Sequence, residues 1–203
     1  MKNIILVLVI LLFSVSAYAS SVMNVHWDNI KNVDIIYNSV GKRVGTTQFD
    51  LKFDLDKNST WDLNTFGYCV DLDGKIQNNK NYTVNLNSNN GYKKASWLID
   101  TYGDKARTNQ LKQASLQLSI WKSIYNHNFS YNPKGSIGNF YTKYMNELSN
   151  NYSENLKYDY MIAEHDNCDY QSVITRVAPV PIPSSLFLLT SSLVCILGIR
   201  RRY

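Results

Sequence analysis

Thr47-Gln-Phe-Asp-Leu-Lys-Phe-Asp-Leu55, TQFDLKFDL, alternates strictly between apolar and polar residues. Side chains of an extended chain point to opposite faces with a period of two, so Phe49, Leu51, Phe53 and Leu55 share one face while Asp50, Lys52 and Asp54 share the other. The stretch therefore reads as a strand with one face in a core. Three neighbours extend the β pattern. Val33-Asp-Ile-Ile-Tyr37 is a short strand upstream. Phe66-Gly-Tyr-Cys-Val-Asp-Leu72 alternates again, with Phe66, Tyr68, Val70 and Leu72 on one side and Cys69 and Asp71 on the other. Tyr82-Thr-Val-Asn-Leu86 lies between Asn- and Gly-rich turns at 77–81 and 87–91.

Beyond these strands the period changes. Lys93 to Tyr102, KKASWLIDTY, carries Ala95, Trp97, Leu98 and Tyr102 at helical spacing, and Gly103 is placed to close the helix. Residues 106–126 read as one long helix, and Ile137 to Leu148 as another after a loop punctuated by Pro133 and Gly135. Tyr158 to Ala163 returns as a last strand. Strands followed by helices predict an α+β fold, with a mainly antiparallel N-terminal β portion packed against a helical portion.

Within the long helix, Leu111, Ala114, Leu118, Ile120, Trp121, Ile124 and Tyr125 fan along one face, opposite Lys112, Ser115, Lys122 and Ser123. Gln117 falls inside the apolar face. A neutral amide there costs free energy unless something bonds to it. Its partner could be a strand backbone, the nearby Gln110 and Gln113, or a group that reacts with it.

The ends of the chain have a different character. Residues 1–19, MKNIILVLVILLFSVSAYA, combine one basic residue, a long apolar run and Ala17-Tyr18-Ala19, the small-x-small pattern of a signal-peptidase site. Cleavage there leaves Ser20 as the new N-terminus; a retained signal anchor is the competing reading. At the other end, Pro179, Pro181 and Pro183 form a stiff stalk. An uncharged run from Ser184 to Ile199 follows, stopped by Arg200-Arg201-Arg202. That run is short for a full span, but the arginine block favours a cytoplasmic end for a transmembrane helix. A glycosylphosphatidylinositol signal ordinarily ends without such a block. The predicted organisation is signal peptide 1–19, extracellular domain 20–178 and sorting or anchoring tail 179–203.

The body is long enough for one domain with its own core. Of 21 basic residues, Lys2 and the three terminal arginines lie in the end segments; the remaining 17 face 16 acids, a net charge of about +1. No basic patch for nucleic acid is implied.

Cys69 and Cys168 are the cysteines of the body, and Cys195 lies in the apolar tail. In an oxidising compartment a Cys69–Cys168 disulfide is one expectation. A cysteine hydrolase would use Cys69 with His127 or His165, but such a site needs the thiol poised against an imidazole, whereas Cys69 sits in an apparent strand and neither histidine has a supporting motif around it. His165-x-x-Cys168 is one loose pair, with no second pair at ligand spacing to complete a metal site. No cofactor is expected. A third possibility joins the strand cysteine to the helix amide: attack of the Cys69 thiolate on the Gln117 side-chain carbonyl would expel ammonia and leave an internal thioester.

The ordered set Phe66-Gly-Tyr-Cys-Val-Asp-Leu-Asp73, Tyr82-Thr-Val84, Ala95-Ser-Trp-Leu98 and Leu116-Gln-Leu-Ser-Ile-Trp121 resembles the thioester domain of bacterial surface adhesins. The resemblance implies Cys69 as the thiol partner and Gln117, four residues before Trp121, as the acyl partner. Ser119 stands where that family usually has alanine, and Gln113, one turn earlier, is the nearest rival for the acyl role. Val180-Pro181-Ile182-Pro183, the apolar run and Arg200-Arg201-Arg202 are similar to the Val-Pro-x-Pro variety of the PEP-CTERM sorting signal, with Ile182 in place of the usual Glu. That similarity implies an exosortase-type partner in the envelope of a Gram-negative bacterium. The implied function is covalent, single-turnover attachment to an amine or hydroxyl on a host, matrix or cell surface, which is not enzymatic turnover. The alternative is a non-covalent biofilm-matrix protein with a Cys69–Cys168 disulfide.

Overall fold

The computed structural model describes residues 20–28, 30–54, 57–77, 80–85, 89–165 and 170–177. The expected signal peptide at 1–19, Cys168 and the tail with Val180, Pro181, Ile182, Pro183, Arg200, Arg201 and Arg202 lie outside the described residues. Among the described residues no helix is long and apolar enough to cross a membrane.

Nine strands and three helices are described: β1 Ser20–His26, β2 Lys31–Tyr37, β3 Val40–Thr46, β4 Phe49–Asp54, β5 Leu63–Cys69, β6 Lys80–Asn85, α1 Asn90–Ala106, α2 Gln110–Tyr125, β7 Phe129–Ser130, α3 Gly135–Asn151, β8 Asp159–His165 and β9 Val173–Val177. Six strands close into an antiparallel barrel in the order β1-β4-β5-β9-β8-β6, and β3-β2-β7 form a separate three-stranded sheet. Mixed β and helical content was expected. The closed barrel was not, because its β1 and β9 went unread.

The expected strand at 47–55 runs over Phe49–Asp54, and Phe49, Leu51 and Phe53 are buried as the alternation requires. They join Met23, Val25, Cys69, Tyr82, Met161, Ala163 and Val173 in one apolar cluster. The opposite faces of β5, β8 and β9 supply Phe66, Tyr68, Val70, Ile162 and Ile174 to a second cluster, with Ala95, Leu98, Ile99, Leu116 and Ile120 of the helices. β5 is therefore buried on both sides. Gly67 makes that packing possible, since a Cβ there would lie 2.6 Å from both the Ile174 carbonyl oxygen and Leu51 Cδ1.

Two helix boundaries differ from the sequence expectation. Gly103 does not end α1 but lies inside it, where a Cβ would come within 2.7 Å of the Phe66 ring; the glycine admits that ring rather than stopping the helix. The expected helix over 106–126 instead begins at Gln110. Asn109 is its extended N-cap, accepting the Lys112 amide at 3.1 Å. α2 packs between α1 and α3. For that reason Ser115, placed on the outer face by periodicity, is fully buried, and its single hydroxyl proton is shared between the Leu111 and Ile137 carbonyls, 2.7 and 2.8 Å from the oxygen.

Candidate functional site

β5 delivers Cys69 as its last residue, and α2 delivers Gln117 from the middle of its buried stretch; their exposures are 3% and 1%. The two meet. The Cys69 amide donates to Gln117 Oε1 at 3.1 Å, and Gln117 Nε2 donates to the Cys69 carbonyl at 2.8 Å. Register explains the vacancy that the amide fills. β4 and β5 pair with Phe49 opposite Gly67, so residue 47 would face Cys69, but β4 begins at Phe49. On the other side the Val70 amide donates to the carbonyl of Ser172, the residue before β9, at 3.0 Å, which turns the polar groups of Cys69 toward the place where β4 has stopped. Gln117 supplies the missing rung. The strand-backbone partner considered for a buried amide is realised, and the backbone is that of Cys69 itself.

This bonding also fixes the amide's orientation. A backbone N–H can only donate and a carbonyl can only accept, so Oε1 faces the Cys69 amide and Nε2 faces its carbonyl. The Cys69 N–H thereby polarises the Gln117 carbonyl and is placed to receive charge developing on that oxygen, the role of an oxyanion donor.

The Cys69 side chain has a different partner, and no feature of the sequence named it. Its thiol donates to Gln171 Oε1 at 2.7 Å, while Gln171 Nε2 donates to the Asp71 carbonyl at 3.1 Å. The segments after β5 and before β9 clasp each other here: the Gln171 amide donates to Lys75 at 3.1 Å, and the Ser172 amide donates to the Asp71 carboxylate at 2.8 Å. Tyr125 adds a hydroxyl bond to the Val70 carbonyl at 2.9 Å. Cys69 is a free thiol.

Burial, and then the Asp71 carboxylate, push the Cys69 thiol well above its ordinary range. Tyr82 is fully buried, and its hydroxyl has no hydrogen-bond partner among the described residues. Burial, the Cys69 charge and Tyr170 push it up to about 12. A reaction that needs the Cys69 thiolate gains that species as pH rises, and the raised thiol delays the gain. Alkylation of Cys69 by iodoacetamide from pH 7 to 10 is therefore expected to accelerate about tenfold per pH unit without levelling at about 8.5, the ordinary thiol value. A plateau at that value would show a thiol unaffected by burial.

The other sequence candidates are elsewhere or differently engaged. Gln113, the rival acyl residue, turns to the junction of α1 and α2 and donates to the Arg107 carbonyl at 2.8 Å. His127 is exposed in the turn after α2. His165 stacks edge-on against Tyr82 and Tyr170, with ring centroids 5.5 and 4.3 Å away. The bond from the thiol goes to an amide, not to an imidazole.

The chain matches no protein-family model, no curated protein and no solved structure.

Proposed function

We propose that this chain is an exported surface protein that closes a thioester between Cys69 and Gln117 and opens it onto an amine or hydroxyl of a host, a matrix polymer or a neighbouring cell. The reading rests on one observation: a reactive-type amide, 1% exposed, lies against the cysteine that the adhesin-like motif names, with its carbonyl already polarised by that residue's N–H. Closure joins Sγ to the Gln117 side-chain carbon, breaks the C–N bond and releases ammonia carrying the thiol proton. Opening transfers the acyl group to the incoming nucleophile and returns the proton to sulfur. Burial serves both steps, because it keeps water from the electrophile until a nucleophile reaches it. The signal-like N-terminus and the Val180-Pro181-Ile182-Pro183 to Arg200-Arg201-Arg202 tail support export and handling by an exosortase-type enzyme.

Intact mass of the exported protein tests this directly. It should be lighter by one ammonia than the mass calculated for the mature chain and should gain methylamine on incubation with that amine. A second reading has its own observation: both polar groups of the Gln117 side chain are satisfied by Cys69, so the amide can serve as a structural rung alone. That role, in a non-covalent matrix protein, predicts an unchanged mass. A deficit of one hydrogen pair, removed by reductant, would instead point to a Cys69–Cys168 disulfide.

A further inference from the structure

Two glutamines serve Cys69, and they serve different parts of it. Gln117 occupies the backbone, and Gln171 occupies the sulfur. The orientation of the Gln171 amide is not interchangeable. Its nitrogen must face the Asp71 carbonyl, which can only accept, so its oxygen must face Sγ. An acceptor oxygen in contact with the sulfur favours a bound S–H, and its negative end opposes a bound thiolate. The Lys75 and Asp71 contacts at 3.1 and 2.8 Å anchor the backbone on either side of this contact, so the amide is presented by a braced segment.

We propose that Gln171 is a positioning residue that retains the Cys69 sulfur as a hydrogen-bonded thiol, slowing closure onto Gln117 and reclaiming the sulfur once a nucleophile has opened the thioester. The inference rests on the covalent reading above. Its purpose follows from proximity. A thiol freed beside a newly formed ester or amide has a very high effective concentration toward it and would otherwise reverse the attachment. Holding the thiol protonated against Gln171 removes the nucleophile from that back reaction.

Ammonia provides the probe. It opens the thioester to restore the Gln117 amide and the Cys69 thiol, and re-closure after its removal is followed as loss of one ammonia from the intact protein. In Gln171→Met the acceptor is gone at similar volume, and re-closure is expected to quicken about fivefold, the equivalent of one ordinary hydrogen bond. Gln171→Glu places a stronger acceptor near the sulfur and is expected to slow it. Opposite signs in two substitutions at one site exclude general destabilisation as the cause. Equal or slower re-closure in Gln171→Met overturns the proposal. Peptide mapping that places the ammonia loss at residue 171 overturns both this proposal and the assignment of Gln117. If the wild-type protein never loses ammonia, the covalent reading fails by itself. The Gln171 contact is then judged on the free thiol: iodoacetamide alkylation of Gln171→Met should reach half its maximal rate at lower pH than wild type, and an unmoved profile sinks it.

Discussion

Cys69→Ser is expected to leave the fold intact while abolishing both the ammonia deficit and methylamine uptake. The separation follows from which atoms bond to which. Gln117 is held by the backbone amide and carbonyl of residue 69, so exchanging sulfur for oxygen leaves both bonds in place. The serine hydroxyl can also donate to Gln171 as the thiol does. What disappears is the nucleophile, and a single-turnover reaction has no second thiol at this position. Gln117→Ala should lose the same chemistry and stability as well, because it strands a buried N–H and a buried C=O, each at about 1–3 kcal/mol. Differential scanning calorimetry beside intact mass reads the two effects separately. Methylamine uptake surviving in Cys69→Ser would refute Cys69 as the thiol partner, and uptake surviving in Gln117→Ala would refute the acyl assignment.

Trp121→Ala should produce a large loss of stability without touching the Cys69–Gln117 bonds. Trp121 is 1% exposed and sits one helical turn beyond Gln117. Its ring lies 6.2 Å from that of Phe129, in the cluster that joins Val33 and Ile35 of the small sheet to the barrel residues. Removing the indole leaves a cavity where α2, β2 and β7 converge, with an expected cost of about 3–5 kcal/mol. For a domain of this size that corresponds to a fall in Tm of about 6–20 °C. Its Nε1 has no hydrogen-bond partner among the described residues, so the loss is one of packing. Trp121→Phe should accordingly recover most of the stability by the same calorimetry. A Trp121→Ala protein melting within a degree of wild type would show that this junction does not hold the two sheets together.

The parts legible in the sequence were those written in a local period. TQFDLKFDL carries its inward face in three apolar side chains, and Phe49, Leu51 and Phe53 are indeed buried. Asp54, assigned outward by the same alternation, is 6% exposed, because its carboxylate accepts the Asn58 and Ser59 amides at 3.1 and 2.8 Å. Alternation does not encode that turn chemistry. Gln117 was conspicuous as a polar residue in an apolar stripe, and the motif around Cys69 supplied a partner 48 positions away. Gln171 carried no such signal. It lies between strands, 102 positions from Cys69, and reaches it through the β5 and β9 register and the clasp beyond it. β1 escaped because it directly follows the signal-like segment, and β9 because its five residues, Val173–Val177, offer too short a period.

Among the described strands, closure of the six-stranded barrel leaves no open edge there, so the open edges are those of the small sheet. One of its edges is β7, only two residues long, and the other is β3. β3 carries Lys42 and Arg43 at its centre, with Lys42 paired to Asp73. A second copy adding its own β3 alongside would bring basic residues together and disturb that pair, while β7 offers too few bonds to template a strand. The fold thus disfavours polymerisation at the places where a β-rich protein is most prone to it. Copies of the chain can therefore stay separate at high concentration, each with its own buried contact between Cys69 and Gln117.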